Sequence, residues 1–222
     1  PARAAAGPSS RVGHRRRALA LARVARRDGY ALLAGPALAQ SAGEWTVGIG
    51  AASVQPKGDN GRLAGTYDTE VGNDVRPSLT LEYFVRDNVG VELLAATPFE
   101  HEVKFDGVGK VGTVKHLPPT LSLNYHFETN TPFKPYIGAG LNWTSFWGEK
   151  TSGPLAGADL DLKHSFGVAL QAGADYWVND KSAIRGTLRW IDIDSDVYLN
   201  GAKVGTVEID PLVVQAAYVM KF

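Results

Sequence analysis

From Glu44 to Phe222 the chain alternates with a period of two, and this limits its fold more than any other feature. In the last stretch Leu212, Val214, Ala216, Tyr218, Met220 and Phe222 share one side, and Val213, Gln215, Ala217, Val219 and Lys221 share the other. Further back, Leu121, Leu123, Tyr125 and Phe127 alternate with Ser122, Asn124 and His126. Phe166, Val168, Leu170, Ala172, Ala174 and Tyr176 likewise alternate with Ser165, Gly167, Gln171, Gly173 and Asp175. A helix cannot segregate such a pattern, whereas a strand puts each set on its own face.

Turn signals divide this region at Pro56–Asn60, Arg86–Asn88, Asp106–Gly109, Glu128–Pro132, Ser152–Gly157, Asn179–Asp180 and Asn200–Gly201. Eight strands are predicted, near 44–54, 74–85, 89–105, 114–127, 134–149, 160–178, 182–199 and 203–222. The turns after the second, fourth and sixth are tight. Those after the first, third and fifth are longer and rich in Gly and Asp. Bacterial outer-membrane barrels have this inequality, and a soluble sandwich has no reason for it. No run reaches the roughly 20 apolar residues that a membrane-spanning helix needs. The expected fold is all-β: an eight-stranded antiparallel up-and-down transmembrane β-barrel over residues 40–222.

The second face of the strands decides what lies outside. It carries small residues together with Glu82, Glu92, Asp175, Arg185 and Arg189, which can pair across a narrow lumen. Trp45, Tyr83, Tyr125, Phe127, Tyr176, Tyr218 and Phe222 fall near strand ends on the short-turn side, as interface girdles do. Lipid is therefore expected outside and the ionic groups inside. The Asn200–Gly201 turn sets the last hairpin. It pairs Ile191 with Asp210 and Ile193 with Glu208; an extra residue at Trp190–Ile191 then brings Trp190 opposite Leu212 and Leu188 opposite Val214. The apolar row from Leu212 to Phe222 is about 25 Å tall at a ~40° tilt, the height of a barrel's lipid belt. This register lifts Glu208 and Asp210 above the lipid and turns Asp192, Asp194 and Asp196 into the mouth, near Asp159 and Asp161.

Residues 1–39 read as an N-terminal extension with a signal peptide. Arg11 and His14–Arg17 form a basic region, an apolar stretch follows, and Ala37-Leu38-Ala39 offers a small-x-small site with cleavage before Gln40. Arg23, Arg26, Arg27 and Asp28 interrupt the apolar part, and the other reading of the segment is a disordered basic tail. The chain has 23 basic and 23 acidic residues and no Cys. It thus lacks a bulk field for nucleic acid and cannot form a disulfide or thiolate metal site.

Several blocks resemble one family. The run Val89–Phe99, then His116-Leu117-Pro118-Pro119-Thr120, Pro135–Asn142 and Asp192-Ile193-Asp194 are similar to the outer membrane protein W family, and the likeness extends over about residues 43–222. The resemblance implies a narrow eight-stranded barrel that admits small hydrophobic compounds. It also implies sideways release into the membrane in some members and a receptor role for bacteriocins or phage in others. The terminal row with Tyr218, Met220 and Phe222 looks like the signal read by the barrel-assembly machinery.

A conduit past the lipopolysaccharide leaflet with a side exit needs a break in the wall, and proline makes one because it has no N–H for the ladder. Pro98, Pro118 and Pro119 fall on adjacent strands toward their loop ends. They are the candidate lateral gate, and the plain alternative is that they kink the rim. The candidate lining is Thr46, Gly48, Thr80, Leu94, Asn142 and Thr187, with apolar contacts nearer the mouth. The cluster of Glu82, Glu92, Asp175, Arg185 and Arg189 is expected to plug the lower lumen, because eight strands leave little room beyond their own side chains.

Other motifs dissolve on inspection. Gly107–Gly112 fits G-x-G-x-x-G, but prolines follow where a helix would have to open. Asp192, Asp194 and Asp196 start like a calcium loop, but Val197 replaces its Gly and Lys203 its Glu. His101, His116, His126 and His164 are scattered, and although His101 and His116 face each other across one hairpin, no third metal ligand is evident. No nucleophile or carboxylate dyad with a placed base is present, so no enzymatic activity, metal or cofactor is expected. Besides a passive channel for hydrophobic solutes, two functions fit. One is a structural or receptor barrel whose loops at 55–73, 106–113 and 150–159 bind a partner. The other is a soluble lipocalin-like carrier.

Overall fold

A computed structural model describes residues 40–222. The expected signal peptide and its cleavage site lie outside the described residues. The first strand segments are β1 (Trp45–Gln55), β2 (Arg62–Leu63), β3 (Tyr67–Val71), β4 (Asp74–Arg86), β5 (Val89–Ala96), β6 (Phe99–Phe105), β7 (Gly109–Leu117) and β8 (Thr120–His126). They continue with β9 (Phe133–Thr151), β10 (Leu160–Leu162), β11 (Ser165–Asn179), β12 (Ser182–Ile191), β13 (Asp194–Leu199), β14 (Ala202–Glu208) and β15 (Leu212–Lys221).

These segments build two tiers. In the lower tier β1, β4, β5, β8, β9, β11, β12 and β15 pair antiparallel in that order, and β15 returns to β1, closing an eight-stranded barrel. The upper tier runs β10-β13-β14-β2-β3-β6-β7 and joins the far end of β9. Thus the third, fourth, sixth, seventh and eighth predicted strands each bend into two segments between the tiers. The first long loop is not bare either, because its β2 and β3 are part of the upper wall.

Side chains explain the bend. In the lower tier the large apolar residues face out: Ile49, Leu79, Leu123, Ile137, Leu170 and Ile184 are all exposed, while Thr46, Glu82, Asn124, Asp175 and Arg185 are buried. The upper tier is the reverse. Phe99, His101, Val103 and Phe105 of β6 are buried, and Glu100, Glu102 and Lys104 between them are exposed. The buried hydrophobic cluster fills this tier with Phe99, Val103, Val114, Phe146, Leu162, Ile193 and Val207, and reaches down to Val54, Ala169, Ile191 and Val213 at the top of the lower strands.

The register of the last hairpin agrees with the expected one in the lower tier and differs above it, where Glu208 pairs with Asp194 instead of Ile193, and Ile191 is not opposite Asp210. Trp190 does face Leu212 and Leu188 does face Val214. The irregularity, however, lies between Val197 and Tyr198, where the pairs are Val197↔Gly205 and Tyr198↔Lys203, so Val204 is the extra residue. Because it belongs to the partner strand, the alternation of the seventh strand runs unbroken through Arg185, Arg189, Ile191, Ile193, Ser195 and Val197, all buried. Asp192, Asp194 and Asp196 therefore point outward rather than into the mouth, and Asp159 and Asp161 are exposed as well. Lys57 meets the outer acids, its Nζ lying 2.5 Å from Glu208 and 2.9 Å from Asp210.

Candidate functional site

The floor of the interior is ionic. Asp175 and Arg185 are direct partners across β11 and β12, and Glu82 and Glu92 are direct partners across β4 and β5. Two carboxylates opposite each other repel, and Arg185 reaches between them. Its Nε donates to Asp175 Oδ1 at 2.7 Å, its Nη1 to Glu92 Oε2 at 2.9 Å and its Nη2 to Glu82 Oε2 at 2.9 Å. Arg189 Nη2 donates to Glu92 Oε1 at 2.7 Å. Asn124 Nδ2 donates to Glu82 Oε1 at 2.9 Å, and His126 Nε2 lies 2.9 Å from the same oxygen. All five charged residues singled out by their alternation are thus brought into one buried network. Gly90 leaves the space that the Glu82 carboxylate occupies; a Cβ there would strike it.

Sequence patterning did not single out the neighbours that complete this layer. Tyr136 lies under the Arg185 guanidinium, 5.0 Å from ring centre to Cζ, and its hydroxyl is 2.5 Å from Thr187 Oγ1. At the short-turn end Gln40 Nε2 donates to Asp175 Oδ2 at 3.3 Å. Of the candidate lining, Gly48 and Thr80 are direct partners, as are Thr46 and Glu82, and Asn142 Nδ2 donates to Thr120 Oγ1 at 3.0 Å. Thr46, Thr80, Leu94, Asn142 and Thr187 are all buried, so these side chains fill this level rather than bound an open bore.

Above the floor lies an apolar vestibule. Val103, Val111, Val114, Phe146, Leu162, Val197 and Val207 line it together with His101 and His116. Its free volume is about 40 Å³, so the chamber is slender. The two imidazoles stack 4.8 Å apart between ring centres, and Phe99 stacks on His116 at 5.4 Å. Burial in apolar surroundings holds the His116 pKa down at about 3, helped by the neighbouring His101 and opposed by Asp74. His101 is lowered by the same burial, against the raising effect of its bond to the Gly72 carbonyl. The sequence had put these two residues across one hairpin, but nothing in it showed that they would meet inside a greasy chamber.

The prolines sit where the tiers join. Below them the last pair between the third and fourth strands is Leu94↔Thr120, and above them the first is Phe99↔His116. Among the described residues no ladder pair links Ala95–Pro98 to Leu117–Pro119. Both edges of this break remain attached on their far sides. Ala96 pairs with Ser78 and Thr97 N donates to the Pro77 carbonyl at 3.1 Å, while Leu117 pairs with Ser145 and Trp143 N donates to the Pro119 carbonyl at 3.1 Å. One residue is inserted in the third strand across the break, which inverts its pleat: Val91 and Leu93 look away from the interior, and Phe99 and His101 look into it. Pro98 is exposed and Pro118 buried.

At the terminus, Tyr218 and Phe222 are exposed and Met220 is half-buried. Phe222 N donates to the Trp45 carbonyl at 2.9 Å, so the last residue is tied to the first strand.

Known proteins share this architecture. The OmpW family matches residues 41–222. Outer membrane protein W of Escherichia coli K12 is 41% identical over 190 residues, covering 82% of this chain and 90% of its own. Outer membrane protein AlkL of Ectopseudomonas oleovorans is 30% identical over 161 residues, covering 68% and 69%. The crystal structure of the outer membrane protein OprG from Pseudomonas aeruginosa superposes with a TM-score of 0.73 at 33% identity, covering 82% of this chain and 97% of that one. The apolar exterior, the closed eight-stranded ring and these relatives agree: the chain is a β-barrel of the bacterial outer membrane and belongs to the OmpW family.

Proposed function

We propose that the protein is a passive conduit for small hydrophobic molecules, taking them in through the apolar vestibule and releasing them sideways into the bilayer at the Pro98–Pro118–Pro119 seam. The observation that carries this reading is the order of the three parts. An apolar chamber leads down to a buried ionic layer, and an unpaired stretch between the third and fourth strands lies where the chamber meets that layer. An apolar molecule is repelled by the floor, since entering it would strip partners from buried charges. The seam offers it the hydrocarbon of the membrane instead. Such a route bypasses the lipopolysaccharide leaflet, which apolar molecules cross poorly. Tyr218, Met220 and Phe222 we read as the segment presented to the barrel-assembly machinery before the barrel closes.

Uptake of n-octane by cells with and without the chain tests the conduit, and uptake no faster with it than without it overturns the reading. Pro98→Val restores an N–H to the seam and is expected to slow uptake while leaving the folded barrel intact on a heat-modifiability gel. Undiminished uptake by that variant would remove the lateral route.

A further inference from the structure

We propose that His101 and His116 form a recognition site inside the vestibule for neutral solutes that carry one hydroxyl on an otherwise apolar body. The proposal rests on the conduit reading and specifies which hydrophobic molecules the conduit favours.

Both side chains are buried, at 1% exposure each. His101 Nδ1 lies 2.5 Å from the Gly72 carbonyl oxygen, which can only accept, so this nitrogen carries the proton and Nε2 is left with a lone pair. That Nε2 and both ring nitrogens of His116 have no hydrogen-bond partner among the described residues. A neutral His116 has one donor and one acceptor nitrogen. The stack therefore presents two acceptors and a donor to a lining otherwise made of Val, Leu, Ile and Phe. Leaving such groups unpaired in an apolar chamber is costly, and a solute that pairs them recovers that cost.

A hydroxyl suits this set because it donates and accepts through one atom. Its O–H can donate to His101 Nε2 or to the bare nitrogen of His116, and its lone pairs can accept from the His116 N–H. A ketone or ester could use only the donor. A carboxylate would bring a charge into a lining that holds no cation, and a metal ion would find no carboxylate there. The location adds a second argument. His116 is the partner of Phe99 in the first pair above the seam, so a bound head group would leave its tail beside the exit.

The test uses the full chain in phosphatidylcholine nanodiscs with nitrogen-15 labelled histidine, titrated with 1-octanol and with n-octane. The His116 ring nitrogens, and Nε2 of His101, are expected to shift with 1-octanol and to stay still with n-octane. His116→Phe keeps a stacked ring and removes both nitrogens. It should weaken 1-octanol binding roughly tenfold more than octane binding, the equivalent of one hydrogen bond. Ring nitrogens that answer equally to both probes, or to neither, overturn the site, and this readout needs no variant. Cell uptake of the same pair separates the two proposals. If neither probe enters faster with the chain while the nitrogens still respond to 1-octanol, the conduit fails and the binding site stands. If both probes enter faster and the nitrogens do not respond, the site fails and the conduit stands.

Discussion

The two tiers of this barrel solve the same problem with opposite chemistry. The lower tier puts Leu, Ile and Val against lipid and fills its interior with Arg185, Arg189, Glu82, Glu92 and Asp175. The upper tier puts Glu100, Glu102, Lys104 and Lys115 outside and packs Phe99, Val103, Phe146 and Ile193 within. Each is what its solvent demands. Hydrocarbon makes exposed apolar groups free of cost and forces polar groups to pair internally, whereas water drives apolar groups together. A chain that crosses both solvents must therefore reverse its pattern along its length. The third strand does so by inserting a residue at the seam, and the seventh does so by changing residue type while its pleat continues.

The sharpest way to break this comparison is to remove the ion at the centre of the lower tier. Arg185→Leu leaves three carboxylates buried with one guanidinium, and we expect a loss of about 3–5 kcal/mol, read from urea unfolding in lipid vesicles. A loss under about 1 kcal/mol would mean that the floor is not held by its charges. The outer surfaces come next. Leu123→Arg, on the lipid side, should cost about 2–4 kcal/mol, while Glu102→Arg, on the upper side, should change stability by no more than about 0.5 kcal/mol. Similar costs at the two positions would show that the tiers face the same solvent.

The last test concerns pH and belongs to the upper tier alone. His116 stays neutral in the folded chain down to about pH 3, because burial disfavours its cation, whereas unfolded it takes a proton near the ordinary histidine value of 6.5. In that window the unfolded state binds the extra proton, so stability falls as the pH is lowered from 6.5 toward 3. The slope from this one group is at most about 1.4 kcal/mol per pH unit. His116→Phe should flatten it, and an unchanged slope in the variant would place the effect elsewhere.

Part of this was legible in the order of residues. The alternation of Leu212–Phe222 and of Leu121–Phe127 was enough for strands with a lipid face, and the five charges of the opposite face were enough for an ionic interior. The Asn200–Gly201 turn gave the correct pairing of Trp190 with Leu212. It could not locate the extra residue, because one residue inserted in the eighth strand at any height above Leu212 gives the same lower pairs. With the insertion at Val204 the seventh strand keeps its pleat, and Asp192 and Asp194 face outward. The vestibule was harder still. Phe99, His101, Val103 and Phe105 alternate with Glu100, Glu102 and Lys104 as plainly as any lipid-facing row, but a period of two does not say which side is the inside.

By itself, then, the sequence determined which residues share a face, where the chain turns and which charges must find one another, since these follow from local geometry and the cost of an unpaired ion. Tertiary structure decided which face is interior at each height, that β2 and β3 complete the upper wall, and that Pro98 and Pro118–Pro119 leave one seam unpaired while their outer neighbours hold. The physical reason is that inside and outside are properties of a closed ring and its solvent. No single strand carries that information until the ring has closed.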